Sequence, residues 1–347
     1  MHKLINPNYH EILNVYTKER PAFLLPFLES KTMQRLSDIS QACGTDYCKF
    51  YNYKFKQSRL DHSLGVALII WHFTKDQTQT LAGLFHDVSH SVFSHVGDYL
   101  MGDTENQESS EQHTTKLLSE DEVIMRELEK LGIALEDVDD YTKYTIADNP
   151  GPKLSADRLE YTLSIAITLS TKSIEEITEM YNDLRVLTNE KGEEEIGFGT
   201  KDIAEKFAIL SIANDEGCYS CYDSVVAQNF LSEILRYMLV HKIISPMQLY
   251  TRTESELIDK INQSNDAKLL DMWNYFTQMS QYKIYRYKPT TDQYFVSSKV
   301  KRRFIDPLVW LPNGNKRVSE LSEIFVDMRD YHLKRREERI RINYKLA

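Results

Sequence analysis

Three stretches of the chain concentrate groups that could do chemistry. The first is Arg59-Leu60-Asp61-His62-Ser63-Leu64-Gly65. The second begins Phe85-His86-Asp87 and continues through His90, His95 and Asp98. The third is Asp157-Arg158-Leu159-Glu160-Tyr161. His62, His86, Asp87 and Asp157 together offer two imidazoles and two carboxylates. That donor set suits one borderline divalent ion such as Mn, Fe, Ni, Co or Zn. It is richer in nitrogen than a magnesium site, which prefers oxygen and water, although Mg could accompany a phosphorylated substrate. An ion held this way can polarise a phosphoryl oxygen or lower the pKa of a water. A lone helical histidine usually packs or meets solvent. Four polar groups buried together need a partner, because burial without one is costly.

The neighbouring residues fit the same chemistry. Asp157 and Tyr161 are four apart, so on a helix they share a face. Arg158 lies about 100° round that helix, at the edge of the same face, and a guanidinium matches the shape of a phosphate. His90 follows His86 by one turn. A neutral imidazole there can take a proton from water or give one to a leaving oxygen, and an aspartate partner would fix its tautomer. Arg59 has a plain alternative, an ion pair with Asp61 or another carboxylate. His95 and Asp98 could equally be packing and surface residues. His10, His72, His113 and His241 follow no pattern and are read as structural.

His62, His86 and Asp157 are far apart in sequence, so helix packing must assemble any site. Helices are expected over about 61–75, 78–88 and 153–170, then 201–212, 219–243 and 254–278. Ser119 with Glu122 reads as a capping box, and Gly132 as the end of that helix. Ser173 with Glu176 caps another helix. Asn149-Pro150-Gly151-Pro152 is a break. Residues 185–199 read as a hairpin turning near Asn189–Gly192. Residues 281–310 read as a short sheet, and 318–343 as a final charged helix. The polar stretch from Gly102 to Gln112 is expected to form a mobile lid. The fold class is therefore mainly α, a helical bundle with a small β-hairpin and a mixed C-terminal extension. The boundary is placed near 180, dividing 1–180 from 181–347.

Composition narrows the function. The chain has 347 residues, 41% hydrophobic and 27% charged, enough for a sizeable core. Its apolar runs are too short to span a bilayer and its start has no signal-peptide character, so a cytoplasmic protein is expected. The net charge of −10, from 42 basic and 52 acidic residues, disfavours non-specific contact with nucleic acid or anionic membranes. Basic runs at Lys301–Arg303 and Lys334–Arg336 read as solvated surface. Cys43, Cys48, Cys218 and Cys221 are expected to be free thiols.

The order His…His-Asp…Asp, with Arg-x-x-His-Ser-x-Gly around His62, resembles the HD-domain metal-dependent phosphohydrolase superfamily. His-Asp-x-x-His-x-x-Phe-Ser-His-x-x-Asp, from His86 to Asp98, is similar to the deoxynucleoside triphosphate triphosphohydrolases of dGTPase and SAM-and-HD-domain type. The likeness is strong over about 34–165; beyond, it reaches only Lys299–Pro307. It implies an HD-domain bundle with His62, His86, Asp87 and Asp157 as metal ligands. It further implies His90 as a catalytic imidazole oriented by Asp98, and His95 and Arg59 on the phosphate nearest the scissile bond. Gln41 would meet the sugar, Tyr161 would pack under it, and Arg158 would bind phosphate. Members often form homo-oligomers.

The chain also departs from that pattern. Where the family has His-Glu-Gln, it has Ser110-Glu111-Gln112. Where the family reads the sugar with an aspartate one turn after the tyrosine, it has Ile165. Residues 228–242 offer only Arg236 and Tyr237 for outer phosphates. The expected substrate is a small nucleotide or phosphate ester, cleaved at the phosphate next to the metal in the manner of a dNTP triphosphohydrolase. The alternatives are a nucleoside monophosphatase or other phosphate-ester hydrolase on the same scaffold, and a non-catalytic nucleotide-binding regulatory module. A cyclic-dinucleotide or alarmone hydrolase is disfavoured, because Val88-Ser89 does not supply the acidic pair of the alarmone enzymes.

Overall fold

The computed structural model describes residues 5–105, 113–285, 294–342 and 344. The chain is mainly α. The N-terminal helices are α1 (His10–Tyr16), α2 (Leu24–Leu28), α3 (Lys31–Arg35), α4 (Arg59–Thr74), α5 (Gln77–Phe85) and α6 (Val96–Met101). Then come α7 (Thr114–Ser119), α8 (Glu122–Leu131), α9 (Ala156–Thr168) and α10 (Ile174–Asn182). The hairpin β1 (Leu184–Thr188) and β2 (Glu194–Phe198) leads to α11 (Lys201–Asn214) and α12 (Tyr222–Val240). The rest is α13 (Gln248–Thr251), α14 (Glu254–Asn262), α15 (Ala267–Gln278), β3 (Lys283–Tyr285), β4 (Phe295–Ser297), β5 (Leu308–Val309), β6 (Lys316–Arg317), α16 (Glu323–Leu333) and β7 (Arg339–Arg341).

Helix α4 is the central post. Ser58 and Asp61 form a reciprocal capping box at its start, which satisfies two otherwise orphaned N–H groups. Every residue from Arg59 to Ile70 is buried, and a helix apolar nearly all round must be surrounded. Helices α1, α5 and α9 pack against it. Asp76 caps α5 and Ser155 caps α9. These three helix starts set the heights of the candidate ligands. On the far side α12 packs on α6 and α15, and α11 packs on α9 and α16.

Several expectations need correction. The cap of α8 is Asp121, whose carboxylate accepts from Val123 and Ile124 N–H; Ser119 bonds back to Lys116 O instead. The stretch 254–278 is two helices, because Asp266 starts a new one by capping α15. The charged C-terminus is not one helix: α16 stops at Leu333, and Arg339–Arg341 forms β7 between β3 and β4. The hairpin β1–β2 extends into a four-stranded sheet, with β5 parallel to β2 and β6 antiparallel to β5. Most of the expected lid, including Ser110-Glu111-Gln112, lies outside the described residues. No described helix is long and apolar enough to cross a membrane.

Candidate metal centre and its cavity

His62 enters near the start of α4, His86 and Asp87 follow the end of α5, and Asp157 sits in the first turn of α9. Packing of α5 and α9 on α4 brings them together. Donor atoms of His62, His86 and Asp87 all lie within 4.8 Å of one another. His62 Nε2 is 3.1 Å from His86 Nε2, 3.2 Å from Asp157 Oδ1 and 3.7 Å from Asp87 Oδ2. His86 Nε2 is 3.4 Å from Asp87 Oδ1 and 3.8 Å from Asp157 Oδ1. Donors bound about 2.1 Å from one ion stand about 3 Å apart when adjacent and about 4 Å apart when opposite. The separations of the two histidines from each other and from both carboxylates fit that pattern.

The tautomers fit as well. His86 Nδ1 donates to Gly83 O at 2.7 Å, which leaves Nε2 bare toward the cluster. His62 Nδ1 bonds Glu160 Oε2. Glu160 is wholly buried on α9 and also accepts from Tyr9 Oη of the N-terminal segment. An outer carboxylate or carbonyl of this kind fixes a ligating imidazole and raises its basicity. Burial acts to lower the pKa of His62, but the charge of Glu160, bonds to Asp157 and Glu160, and the charge of Asp87 outweigh it and raise it to about 10. Asp87 is held well below the carboxylate range: burial opposes ionisation, and Arg59, His86 and His90 overcome it. Asp157 falls to about 2, again against burial, chiefly through His62.

These residues form one wall of a cavity of about 790 Å³. His90, Arg59, His95, Gln41, Arg158 and Tyr161 also line it. His90 Nε2 lies 2.9 Å from Asp87 Oδ1. A carboxylate only accepts, so His90 donates from Nε2 and its Nδ1 keeps the lone pair. That Nδ1 is buried without a hydrogen-bond partner. Burial first, and then the charge of Arg59, hold the His90 pKa below its ordinary value. His95 Nδ1 bonds Asp98 Oδ2 at 2.8 Å, and burial pulls its pKa down to about 4. Asp98 therefore orients His95, where His90 was expected. The short distance from His90 to Asp87 is the reason: it uses the one nitrogen that can donate.

Arg59 lines the cavity but pairs with Asp87 at 2.8 Å and donates to Ser94 Oγ at 2.9 Å. Arg158 is 2.8 Å from Asp148 and also meets Asn149 and Ser155, so its charge is locally balanced. Arg236 donates to Leu100 O and Tyr237 bonds Asp266; neither lines the cavity. His113 packs edge-on against Tyr250. All four cysteines are free thiols.

The sequence reading missed several lining or supporting groups. Lys301, Arg302 and Arg303 are not a solvated helix face; they belong to an irregular segment along the cavity. Tyr219 comes from a π-helical turn, Asp215–Tyr219, with its ring edge-on to Tyr161. Ser164 and Gln228 reach the cavity from α9 and α12. The one available signal was polarity on otherwise apolar helices: Glu160 and Ser164 interrupt the buried face of α9.

The chain is similar to the uncharacterized protein YdhJ of Bacillus subtilis. They are 27% identical over 298 residues, covering 85% of this chain and 86% of that protein. It is also similar to a Cordyceps militaris protein named metal-dependent phosphohydrolase cns2. There the identity is 25% over 350 residues, covering 97% of this chain and 96% of that protein. A solved structure of a hypothetical protein from Aquifex aeolicus has the same fold, with a TM-score of 0.64, 17% identity and 93% of each chain covered. No protein-family model matches the chain. A distant relative aligned along nearly the whole chain thus carries the name of a metal-dependent phosphohydrolase, and this chain has a His/Asp cluster of metal-binding type.

Proposed function

We propose that this protein is an HD-type metal-dependent phosphohydrolase acting on a nucleotide or a closely related phosphate ester. The observation that carries the reading is the convergence of His62, His86 and Asp87 donors within 4.8 Å on the wall of a large cavity. The name of the relative aligned over 97% of the chain supports it.

His62, His86, Asp87 and Asp157 would hold one divalent transition ion, which supplies Lewis-acid polarisation of a phosphoryl oxygen and activation of water. His62 and His86 present Nε2 because Glu160 and Gly83 occupy their Nδ1 atoms. Arg59 anchors the Asp87 carboxylate and offers positive charge at the phosphate. His90, whose Nδ1 keeps its lone pair, takes the proton of the attacking water. His95, neutral and tied to Asp98, offers Nε2 beside it, the rings being edge-to-face with centroids 4.9 Å apart. Tyr161 and Gln41 contact the organic part of the substrate, and Arg158 borders the phosphate path.

The first reading is cleavage at the phosphate next to the cluster, in the manner of a dNTP triphosphohydrolase. Nucleoside monophosphate hydrolysis is the second. Arg236 lies outside the cavity and Arg158 is paired with Asp148, so any outer phosphates would depend on Lys301, Arg302 and Arg303 along the cavity. The test is turnover of nucleoside mono- and triphosphates with Mn, Co, Ni, Fe, Zn or Mg added, separating orthophosphate from tripolyphosphate. Tripolyphosphate supports the first reading and orthophosphate from monophosphates the second. No product with any metal removes both and leaves a binding module.

A further inference from the structure

The turn Asp215–Tyr219 that follows α11 is π-helical, a rare geometry found often at functional sites. It puts Tyr219 on the cavity wall. Tyr219 Oη donates to Tyr161 O at 3.2 Å, and the two rings stand edge-on. On the same side Asn214 Nδ2 donates to Thr162 O at 2.9 Å. Ser220 N–H closes the wide turn by donating to Asp215 O at 2.8 Å. Arg302, from the irregular segment along the cavity, donates to Ser220 Oγ at 2.7 Å.

On its other side the turn meets His332 of α16, which is 0% exposed. His332 Nε2 lies 3.2 Å from Asp215 Oδ2, and Nδ1 lies 3.1 Å from Glu216 Oε1. Ionised carboxylates only accept, so both ring nitrogens carry protons and the ring is an imidazolium. Asp215 is itself 0% exposed, and neither of its oxygens has a hydrogen-bond partner among the described residues. Charge, more than a directed bond, therefore ties Asp215 to His332. A buried carboxylate needs such a countercharge, and removing one member of a buried pair leaves the other uncompensated. Arg302 adds its charge to Asp215 and Glu216 from the cavity side, and Arg335, just beyond α16, acts on Arg302. Glu320, in the 3-10 turn Val318–Glu320 packed on α16, accepts from Arg317 N–H at 2.8 Å instead. Burial acts to lower the His332 pKa, and Asp215 and then Glu216 outweigh it and raise it.

We infer that His332 is a positioning residue and a pH-sensitive latch: protonated, it ties α16 to the π-helical turn, which holds Tyr219 against Tyr161 on the cavity wall. Loss of the proton takes away the charge that lies against Asp215, and the turn loosens. A histidine raised on folding adds stability that is complete below its ordinary value of 6.5 and lost as pH rises through the raised value. The latch belongs to the fold; its effect on substrate rests on the phosphohydrolase reading above.

The test compares the full-length parent with His332→Gln by hydrogen exchange at matched pH. At about pH 6, where the parent imidazole is charged, residues 215–220 of the variant should lose protection about tenfold or more. The gap should narrow by about pH 9, as the parent gives up its proton. His332→Gln combined with Asp215→Asn removes both members of the pair and should recover most of the Tm that His332→Gln alone loses. Equal protection at the lower pH, a gap that pH does not change, or no recovery in the double variant overturns the latch. For the Mn-loaded protein and the nucleotide it turns over fastest, His332→Gln should raise KM and flatten its rise with pH, with kcat kept within about twofold. Unchanged KM at every pH, with protection lost, overturns the positioning role. Absence of turnover with every nucleotide removes the phosphohydrolase reading, and the exchange result still decides the latch.

Discussion

Glu160 shows how one side chain can govern a site without belonging to its motif. It is wholly buried and joins His62 on α4 to Tyr9 of the N-terminal segment. Replacing it with Gln keeps the volume but removes the charge behind His62. Glu160→Gln should weaken metal binding about 10- to 100-fold, read by competition with a chelator. An unchanged affinity would reduce Glu160 to a filler of the core. His90 makes the opposite case. It bonds an Asp87 oxygen through Nε2 and leaves Nδ1 without a hydrogen-bond partner. His90→Ala should keep the metal, measured by elemental analysis, while turnover falls about 10²- to 10⁴-fold. Loss of metal along with rate would make His90 a ligand instead.

Among the elements, the contact between α4 and α9 matters most, because it joins His62 to Asp157 and Glu160. Gly65 lies one turn beyond His62. A Cβ there would come within 2.6 Å of Tyr9 Oη and 2.8 Å of Glu160 Cγ, so only glycine lets α9 approach this closely. Gly65→Ala should destabilise the fold by about 1–3 kcal/mol, seen as a lower Tm. It should also weaken metal binding by pushing Glu160 off His62. A variant with parental Tm and affinity would mean that the helices slide apart at no cost. The turn after α5 is equally constrained. Phe93 and Ser94 adopt φ of 62° and 56°, uncommon for residues with a Cβ. Val92 N–H is clamped by Leu249 O at 2.7 Å, and Ser94 Oγ by Ser40 O at 2.7 Å. That turn carries His90 and His95 into place.

Across the molecule, Glu254 at the start of α14 holds distant parts of the chain together. Its carboxylate accepts from Ser40 N at 2.7 Å and Tyr47 Oη at 2.7 Å, and lies 3.4 Å from Lys56. Ser40 O in turn holds Ser94, which holds Arg59. Burial pushes the Glu254 pKa up to about 7, against the pull of Lys56. An acid raised this way binds its proton more tightly when folded. Its contribution to stability is complete below about pH 4.5, the ordinary value, and is lost as pH rises through about 7. The difference is about 3 kcal/mol, at 1.36 kcal/mol per pKa unit. Tm should therefore fall less steeply between about pH 5 and 8 in Glu254→Gln than in the parent. Parallel Tm profiles for the two would show that Glu254 does not titrate in that window.

The amino-acid sequence alone pointed to the proposed donor set and to most helices around it. His62, His86, Asp87 and Asp157 stood out as candidates because four such groups are costly to bury without a partner. Ser58, Asp76 and Ser155 mark helix starts through local hydrogen bonds, and local bonds can be read from neighbouring residues. Asp121 against Ser119 was lost because two capable residues lay within one turn. The end of α16 was lost because β7 depends on partners in β3 and β4, more than forty residues away. Tertiary packing decided the rest. It gave Asp98 to His95 and Asp87 to His90, set Glu160 behind His62, and brought Ser164, Gln228 and Lys301–Arg303 to one cavity. None of these pairings has a sequence period, because each joins elements whose separation along the chain is arbitrary and whose contact is set by how apolar faces pack.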